Sequence, residues 1–450
     1  MTASSRMSPL FTDLYELKMA QAYLAEEMHA PATFSLFVRS LPPERNFLLA
    51  AGLDPLLDWL EDLRFNEEDI AFLDSLESFS QRYLDSLRDF RFEGDVWAMP
   101  EGTPFFAEEP LIEVVAPPAQ AQLVETLVMN QVHSATVLAS KAARIVLAAE
   151  GRAVVDFGAR RIHGTDAGLK SARAYHIAGV AATSNVLAGR LYGVPLSGTM
   201  AHSYVQAHDD EMDAFRAFTR EFPETILLVD TYDTLSGVRK VIALARELGE
   251  DFRVRGVRLD SGDLATLSFE TRRLLDEAGL GSVEIFASGG LDDVSIRDLV
   301  RRGCPIDGFG VGTSMGVSAD SPRLDMAYKL TAYAGSGRMK LSSGKRSLPG
   351  RKQVFREERG GRAVADRIAR AEESRPGRPL LRRVLSGGRR LEETREGIGA
   401  ARERARREIA ALPESLRSLE PADPGYEVGL SPALRDHLDE VAERVRKQQI

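Results

Sequence analysis

The stretch "TILLVDTYDTLSGVRKVIALARELGEDFRVRGVRLD", residues 225–260, decides the fold. A short run, "TILLVD" (225–230), ends in an aspartate. An amphipathic stretch, "TLSGVRKVIALARELG" (234–249), follows. A second run, "RVRGVRLD" (253–260), again ends in an aspartate. Strand, helix and strand at this spacing make a βα unit and a parallel sheet. Downstream, "LATLSFETRRLLDEAG" (264–279) carries apolar residues at 264, 267, 274 and 275 with charges between, a helical period. The runs "SVEIFASGG" (282–290) and "IDGFGVGT" (306–313) come next. Upstream lie "RAVVDFG" (152–158), "VAAT" (180–183, the weakest) and "VPLSGT" (194–199). A doubly wound sheet would also gather the ends of such strands. Short, uniform units favour a βα barrel instead. Seven candidate strands, one fewer than a full barrel has, make it an irregular or incomplete one.

The flanks differ. "PATFSLFVRSLP" (31–42) and "GDVWAMPEGTPFFAEEPLIEVVAPP" (94–118), with helices between, read as an α+β region. Pro117-Pro118 opens a long helix over 119–151. After Tyr333 the chain turns strand-like and rich in Gly, Lys and Arg. It ends in a charged helical run, "LEETREGIGAARERARREIAALPESL", read as a solvated helix face. The expected division is 1–118 for an N-terminal α+β domain and 119–334 for the barrel. Residues 335–450 form a C-terminal segment packing back on the N-terminal domain. No internal repeat or low-complexity tract is seen.

Of the 450 residues 44% are apolar, ample for one large core or two. A net charge of −9 argues against a general nucleic-acid binder, though a local arginine cluster can still serve an anionic small substrate. Cys304 is the sole cysteine, which excludes an intrachain disulfide and a multi-cysteine zinc site. No run reaches the roughly 18 apolar residues of a membrane helix, and "MTASSRMSPLFTDLYELKMAQ" has no basic segment before an apolar one. A cytoplasmic soluble protein is expected.

Polar residues collect where strand runs end: Asp156, Thr199, Asp230, Asp260, Ser288 and Thr313. In a parallel barrel these ends share one rim, where sites form. "ASGG" (287–290) and "GFGVGTS" (308–314) close the last two strands. Their small residues let backbone N–H groups approach a phosphate, with hydroxyls from Ser288 and Thr313. In "VRLDSGD" (257–263), Arg258 and Asp260 share one side of the strand, and Asp263 reads as a helix N-cap. Phe157 in "DFGARR" (156–161) is either core or, beside Arg160 and Arg161, a stacking platform for a flat anionic ring. Thr12 reads as the N-cap of a helix whose first turn carries Tyr15. His202, in "VPLSGTMAHSYVQAHDD" (194–210), is open to three readings: a structural histidine, a general acid/base, or a covalent phosphate acceptor.

The ordered set "TDLY", "FSLFVRSLP", "DFGARRIHGTDAG", "ATSNVLAGRLYGVPLSGTMAHSY", "VDTYDTLSG", "VRLDSGDL", "ASGG" and "GFGVGTS" resembles the nicotinate phosphoribosyltransferase family. The resemblance runs nearly from end to end, to "PGYEVGLSPALR" (424–435), and only about Gly335 to Arg390 adds little. It implies an irregular α/β barrel with a second domain built from both termini. It implies formation of nicotinate mononucleotide and pyrophosphate from nicotinate and phosphoribosyl pyrophosphate. ATP hydrolysis would be coupled through a phosphohistidine at His202. By the same resemblance Phe157 and Tyr15 stack on the pyridine ring, Tyr15 reaching across from a partner subunit, so that a homodimer is the active unit. Arg160 and Arg258 surround the base and phosphate, Asp260 takes the ribose hydroxyls, and Arg39 meets the pyrophosphate. Ser288, Gly289, Gly290, Gly312 and Thr313 cradle the 5′-phosphate. Mg²⁺ is expected on substrate oxygens rather than in a protein cage. Related nicotinamide enzymes carry an aspartate in the segment matching "ATSN"; Ser184 stands in it here and favours the acid over the amide. A phosphate-binding isomerase or aldolase would not need "DFGARR" and "GTMAHSY" together. A non-catalytic nucleotide sensor would not need Asp260 and the glycine cradle intact.

Overall fold

In the computed structural model, which describes residues 8–341 and 347–448, the run 225–260 folds as strand, helix and strand. Residues 342–346 of the Gly/Lys/Arg-rich stretch, and the first seven residues of the chain, lie outside the described residues. Six parallel strands make one sheet: β1 (Ala153–Asp156), β2 (Ala182–Thr183), β3 (Ile226–Leu228), β4 (Gly256–Leu259), β5 (Glu284–Ala287) and β6 (Gly308–Val311). Their spatial order is β2-β1-β6-β5-β4-β3, every neighbouring pair parallel. The strands therefore follow chain order around a curve, β6 pairs back with β1, and the opening falls between β2 and β3. This is the incomplete barrel the periodicity predicts.

The seventh expected strand, 194–199, lies at that opening. It forms only an isolated parallel bridge between Leu196 and Thr183. Thr183 N donates to Pro195 O at 2.9 Å and Ser197 N to Thr183 O at 3.1 Å. Pro195 has no N–H to offer a ladder, and Ser197-Gly198 favours a turn, so the pairing ends there. Helices Thr234–Leu248, Leu264–Glu277 and Asp293–Arg301 follow β3, β4 and β5. Each opens on an aspartate whose side chain accepts a backbone N–H of the first turn: Asp233, Asp263 and Asp292. Asp263 is thus the cap its position suggests.

The chain divides into two compact units, one from Lys141 to Pro322 and one built from the chain through Ser140 and from Arg323 onward. In the latter, an antiparallel sheet orders Ser336–Gly337, Met326–Tyr333, Ala32–Val38, Pro110–Ala116, Asp95–Ala98, Arg382–Ser386 and Arg389–Arg390. Segments from both ends of the chain are hydrogen-bonded neighbours in it. A second sheet orders Arg378–Pro379, Lys352–Arg359, Arg362–Arg370 and Glu427–Leu430. These boundaries replace the expected ones after 118 and 334. Met326–Tyr333 pairs along its length with Ala32–Val38 and so belongs with the terminal segments. The helix expected over 119–151 breaks at Val124 into Pro118–Leu123 and Glu125–Ala148, and the unit boundary lies inside the second. Thr12 is not the cap of the first helix, Leu14–Ala25; Asp13 stands there. The Thr12 hydroxyl instead contacts Glu16 Oε2 and Leu123 O. The charged C-terminal run is only partly a solvated face, since helix Ile398–Ala411 buries Ala401, Ala405, Glu408 and Ile409. Among the described residues no helix is long and apolar enough to cross a membrane.

Candidate functional site

Asp260 leaves the end of β4, and its neighbours define the site. Its backbone N–H donates to Asp230 Oδ2 at 2.9 Å, and the Ser261 hydroxyl donates to the same oxygen at 2.6 Å. Asp230 thereby ties the ends of β3 and β4. Its other oxygen, Oδ1, is buried with no hydrogen-bond donor among the described residues. The Ser288 hydroxyl at the end of β5 donates to Asp260 Oδ1. Asp260 Oδ2 lies 3.8 Å from Nε2 of His202.

His202 begins a short helix, His202–Gln206, in the segment that follows the barrel opening. Its Nδ1 is 3.1 Å from Thr231 Oγ1. One ring nitrogen meets a hydroxyl and the other faces a carboxylate, which orients the imidazole. The same segment is held from β4, where Arg258 Nη2 donates to Met200 O at 2.8 Å. The Arg258 Nε is buried without an acceptor among the described residues. Burial lowers the pKa of this guanidinium, opposed by Asp260 and Asp230. Its Cζ lies 5.7 Å from the ring centroid of Phe157.

Phe157 follows β1, its N–H donating to Val311 O at 2.8 Å. Its ring lies across Gly310, where a Cβ would come within 2.4 Å of a ring carbon. Asp156, just before it, is buried and accepts from Gly158 N and Thr183 Oγ1, both at 2.7 Å. Burial raises its carboxyl pKa, and these two donors oppose the rise. The Asp156 carbonyl accepts from Ser184 N at 2.9 Å, so one residue anchors the loops after β1 and β2. Ser184 and Arg160 are both exposed on those loops.

In the loop after β5, Ser288 N donates to Leu259 O at 2.8 Å. Gly289 has φ of +87°, and a Cβ there would stand 1.7 Å from Asp260 O, so only glycine fits. Gly290 is exposed beside it. Gly312 is half-buried after β6, and Thr313 is exposed at the start of the short helix Thr313–Gly316. Contacts thus link Phe157, Arg258, Asp260, Ser288, Gly289 and His202. Arg160, Ser184, Gly290, Gly312 and Thr313 occupy loops at the same strand ends. Tyr15 and Arg39 belong to the other unit. Tyr15 is 47% exposed in the first turn of its helix, and Arg39 pairs with Asp325 at 2.7 Å. From the sequence Asp230 is a rim residue without a role, and nothing in the sequence singles out Thr231. The signal for Asp230 was its place one βα unit before Asp260. Among the described residues no group of three or more His, Cys, Asp or Glu is arranged to hold a metal ion by itself.

The comparisons agree with one another. The family model for the nicotinate phosphoribosyltransferase N-terminal domain matches residues 10–133, and that for the nicotinate phosphoribosyltransferase family matches residues 152–346. A nicotinate phosphoribosyltransferase of Mycobacterium tuberculosis is 56% identical over 431 residues, covering 96% of this chain and 93% of the relative. One from Bacillus subtilis is 40% identical over 355 residues, covering 77% and 72%. The crystal structure of human nicotinic acid phosphoribosyltransferase superposes with a TM-score of 0.85 at 30% identity, over 96% of this chain and 99% of that one. A nicotinate-nucleotide pyrophosphorylase from Pyrococcus furiosus gives 0.73 at 25% identity, over 91% and 99%. With both halves matched in order and more than half of the residues shared with a relative of nearly equal extent, the chain belongs to the nicotinate phosphoribosyltransferase family.

Proposed function

We propose that this protein joins nicotinate to the phosphoribosyl group of phosphoribosyl pyrophosphate, giving nicotinate mononucleotide and pyrophosphate for NAD salvage. ATP hydrolysis drives the step through a phosphate carried on His202, and a cytoplasmic homodimer is the working form. One observation carries the reading: Asp260 presents its carboxylate between the Ser288 hydroxyl and His202 Nε2. A ribose-binding acid, a phosphate loop and a phosphate-accepting ring then share one corner.

The chemistry asks little of a base. The pyridine nitrogen attacks C1 of the ribose as pyrophosphate leaves, so alignment and charge neutralisation do most of the work. Phe157 offers a face to the pyridine ring, with the partner subunit's Tyr15 proposed for the other. Arg258, close to the Phe157 ring, and Arg160 supply positive charge for the substrate anions. Asp260 accepts the ribose hydroxyls. The loops holding Ser288, Gly289, Gly290, Gly312 and Thr313 take the 5′-phosphate, and Arg39 the pyrophosphate. Ser184 places no carboxylate against the nicotinate carboxylate. In the tautomer whose Nδ1–H donates to Thr231 Oγ1, the Nε2 lone pair of His202, facing Asp260, is the one offered to a phosphoryl group. The donor set suits Mg²⁺ brought in on substrate oxygens, since Asp230 Oδ1 is a buried carboxylate oxygen without a donor among the described residues and Asp260 stands beside it. When bound, Mg²⁺ supplies charge neutralisation for the pyrophosphate.

The test is incubation of pure protein with nicotinate, phosphoribosyl pyrophosphate and Mg²⁺, with and without ATP, and identification of products by mass. Nicotinate mononucleotide and pyrophosphate are expected, faster with ATP. No nucleotide under either condition contradicts the reading.

A further inference from the structure

Lys141 lies in helix Glu125–Ala148, and its side chain is only 2% exposed. A buried ammonium is costly unless anions hold it. Two do: Nζ contacts Asp293 Oδ1 and lies 2.8 Å from Asp320 Oδ1. Arg144, one turn further along the helix, places Nε 2.8 Å from Asp293 Oδ2. Burial would raise the Asp293 carboxyl pKa, but Lys141 and Arg144 outweigh it and hold the group below the usual carboxylate range.

The two carboxylates sit on different segments, one on a helix and one on a loop. Asp293 is the first residue of the helix that follows Ser288-Gly289-Gly290. Asp320 comes four residues after the short helix that follows Gly312. One ammonium therefore fastens the chain segments behind both glycine loops to the same point on a third element. Salt bridges of this kind are often no better for stability than apolar packing of equal volume. What a shared cation fixes is distance, here between the loops after β5 and β6.

We propose that Lys141 is a positioning residue that sets the spacing of these two loops and thereby the affinity for phosphoribosyl pyrophosphate. The inference rests on the reading that the loops hold the 5′-phosphate. Lys141, buried and paired with two carboxylates, acts through them and not on substrate. The fastening concerns the phosphate end of the site, whereas the base-binding loops after β1 and β2 are anchored separately by Asp156. The two substrates should therefore respond differently.

The experiment is steady-state kinetics with each substrate varied in turn, on the wild type, Lys141→Met, Asp320→Asn and Thr313→Glu, with thermal unfolding to confirm a folded state. Asp320→Asn removes one of the two anions and leaves Asp293 with both cations, so it keeps the test open if Lys141→Met does not fold. The KM for phosphoribosyl pyrophosphate is expected to rise about tenfold in Lys141→Met and about threefold in Asp320→Asn, with the nicotinate KM within about twofold. Equal changes in both KM values, or a fall in kcat alone, overturn the proposal. Thr313→Glu separates it from the reading beneath it. If this exposed carboxylate leaves the KM for phosphoribosyl pyrophosphate unchanged, the loops are not the phosphate site. If it raises that KM while the other two variants do not, only the role of Lys141 falls.

Discussion

Ser184 and Gly310 make the substrate reading testable one side chain at a time. A carboxylate at 184 would face the nicotinate carboxylate in the proposed pose. Ser184→Asp should lower kcat/KM for nicotinate by about 10- to 100-fold and leave any nicotinamide activity less affected. Equal effects on acid and amide would separate residue 184 from the carboxylate. Gly310 is buried under the Phe157 ring and gives that ring its room. Gly310→Ala should push that ring aside and raise the nicotinate KM about tenfold, more than the KM for phosphoribosyl pyrophosphate, which changes less because the new methyl only crowds Ser288 Cβ at 3.1 Å. An unchanged nicotinate KM would remove Phe157 from the base site. His202 and Asp260 should part company. With labelled ATP, His202→Ala should lose an acid-labile, base-stable phosphate and the stimulation by ATP, while slow synthesis remains. Asp260→Ala should keep the label and lose synthesis. Label retained by His202→Ala would return that histidine to a structural role.

Among the elements, the strands that lead into an aspartate are the plainest in the sequence. A run such as "TILLVD" or "RVRGVRLD" is short, followed by a capped helix, and its polar end marks the rim without any knowledge of contacts. The rim residues Asp260, Arg258 and Ser288 were legible for that reason. Residues 194–199 were not, because a proline and a turn inside an apolar run are decided by pairing partners elsewhere. The unit boundaries were hidden for a similar reason: only the ladder between Met326–Tyr333 and Ala32–Val38 assigns the former. The Leu14–Ala25 helix shows the limit again, since Thr12 serves Glu16 rather than the cap. Glu16 is buried, accepts from Thr12 and Thr126, and burial raises its pKa from 4.5 to about 7 despite those donors. Its folded value lies above its unfolded one. Between pH 4.5 and 7 the unfolded chain has released this proton and the fold keeps it, so stability from this group falls as pH rises through that window and is flat above. Glu16→Gln keeps an acceptor and removes the titration. Its melting temperature relative to wild type should climb between pH 5 and 7.5, by on the order of a few degrees. A pH-independent difference would show that Glu16 does not titrate there.

For the whole molecule the proposal is a shared site in a dimer, and Tyr15 carries it. Tyr15 and Asp260 belong to different units of the chain. If Tyr15 closes the partner's site, Tyr15→Ala and Asp260→Ala should each be nearly inactive, and mixed subunits should regain activity. After full exchange about a quarter of the sites would carry both intact residues, by the statistics of pairing two subunits. No recovery despite demonstrated subunit exchange would place each site within one chain. At this scale the chemistry to be checked is transfer of a phosphoribosyl group to nicotinate. The most direct measurement offers the purified enzyme equal concentrations of nicotinate and nicotinamide with limiting phosphoribosyl pyrophosphate, ATP and Mg²⁺, and resolves the nucleotides by mass. Nicotinate mononucleotide is expected in large excess, with one pyrophosphate released for each nucleotide. Nicotinamide mononucleotide in equal or greater amount, or pyrophosphate released with no nucleotide formed, would contradict that expectation.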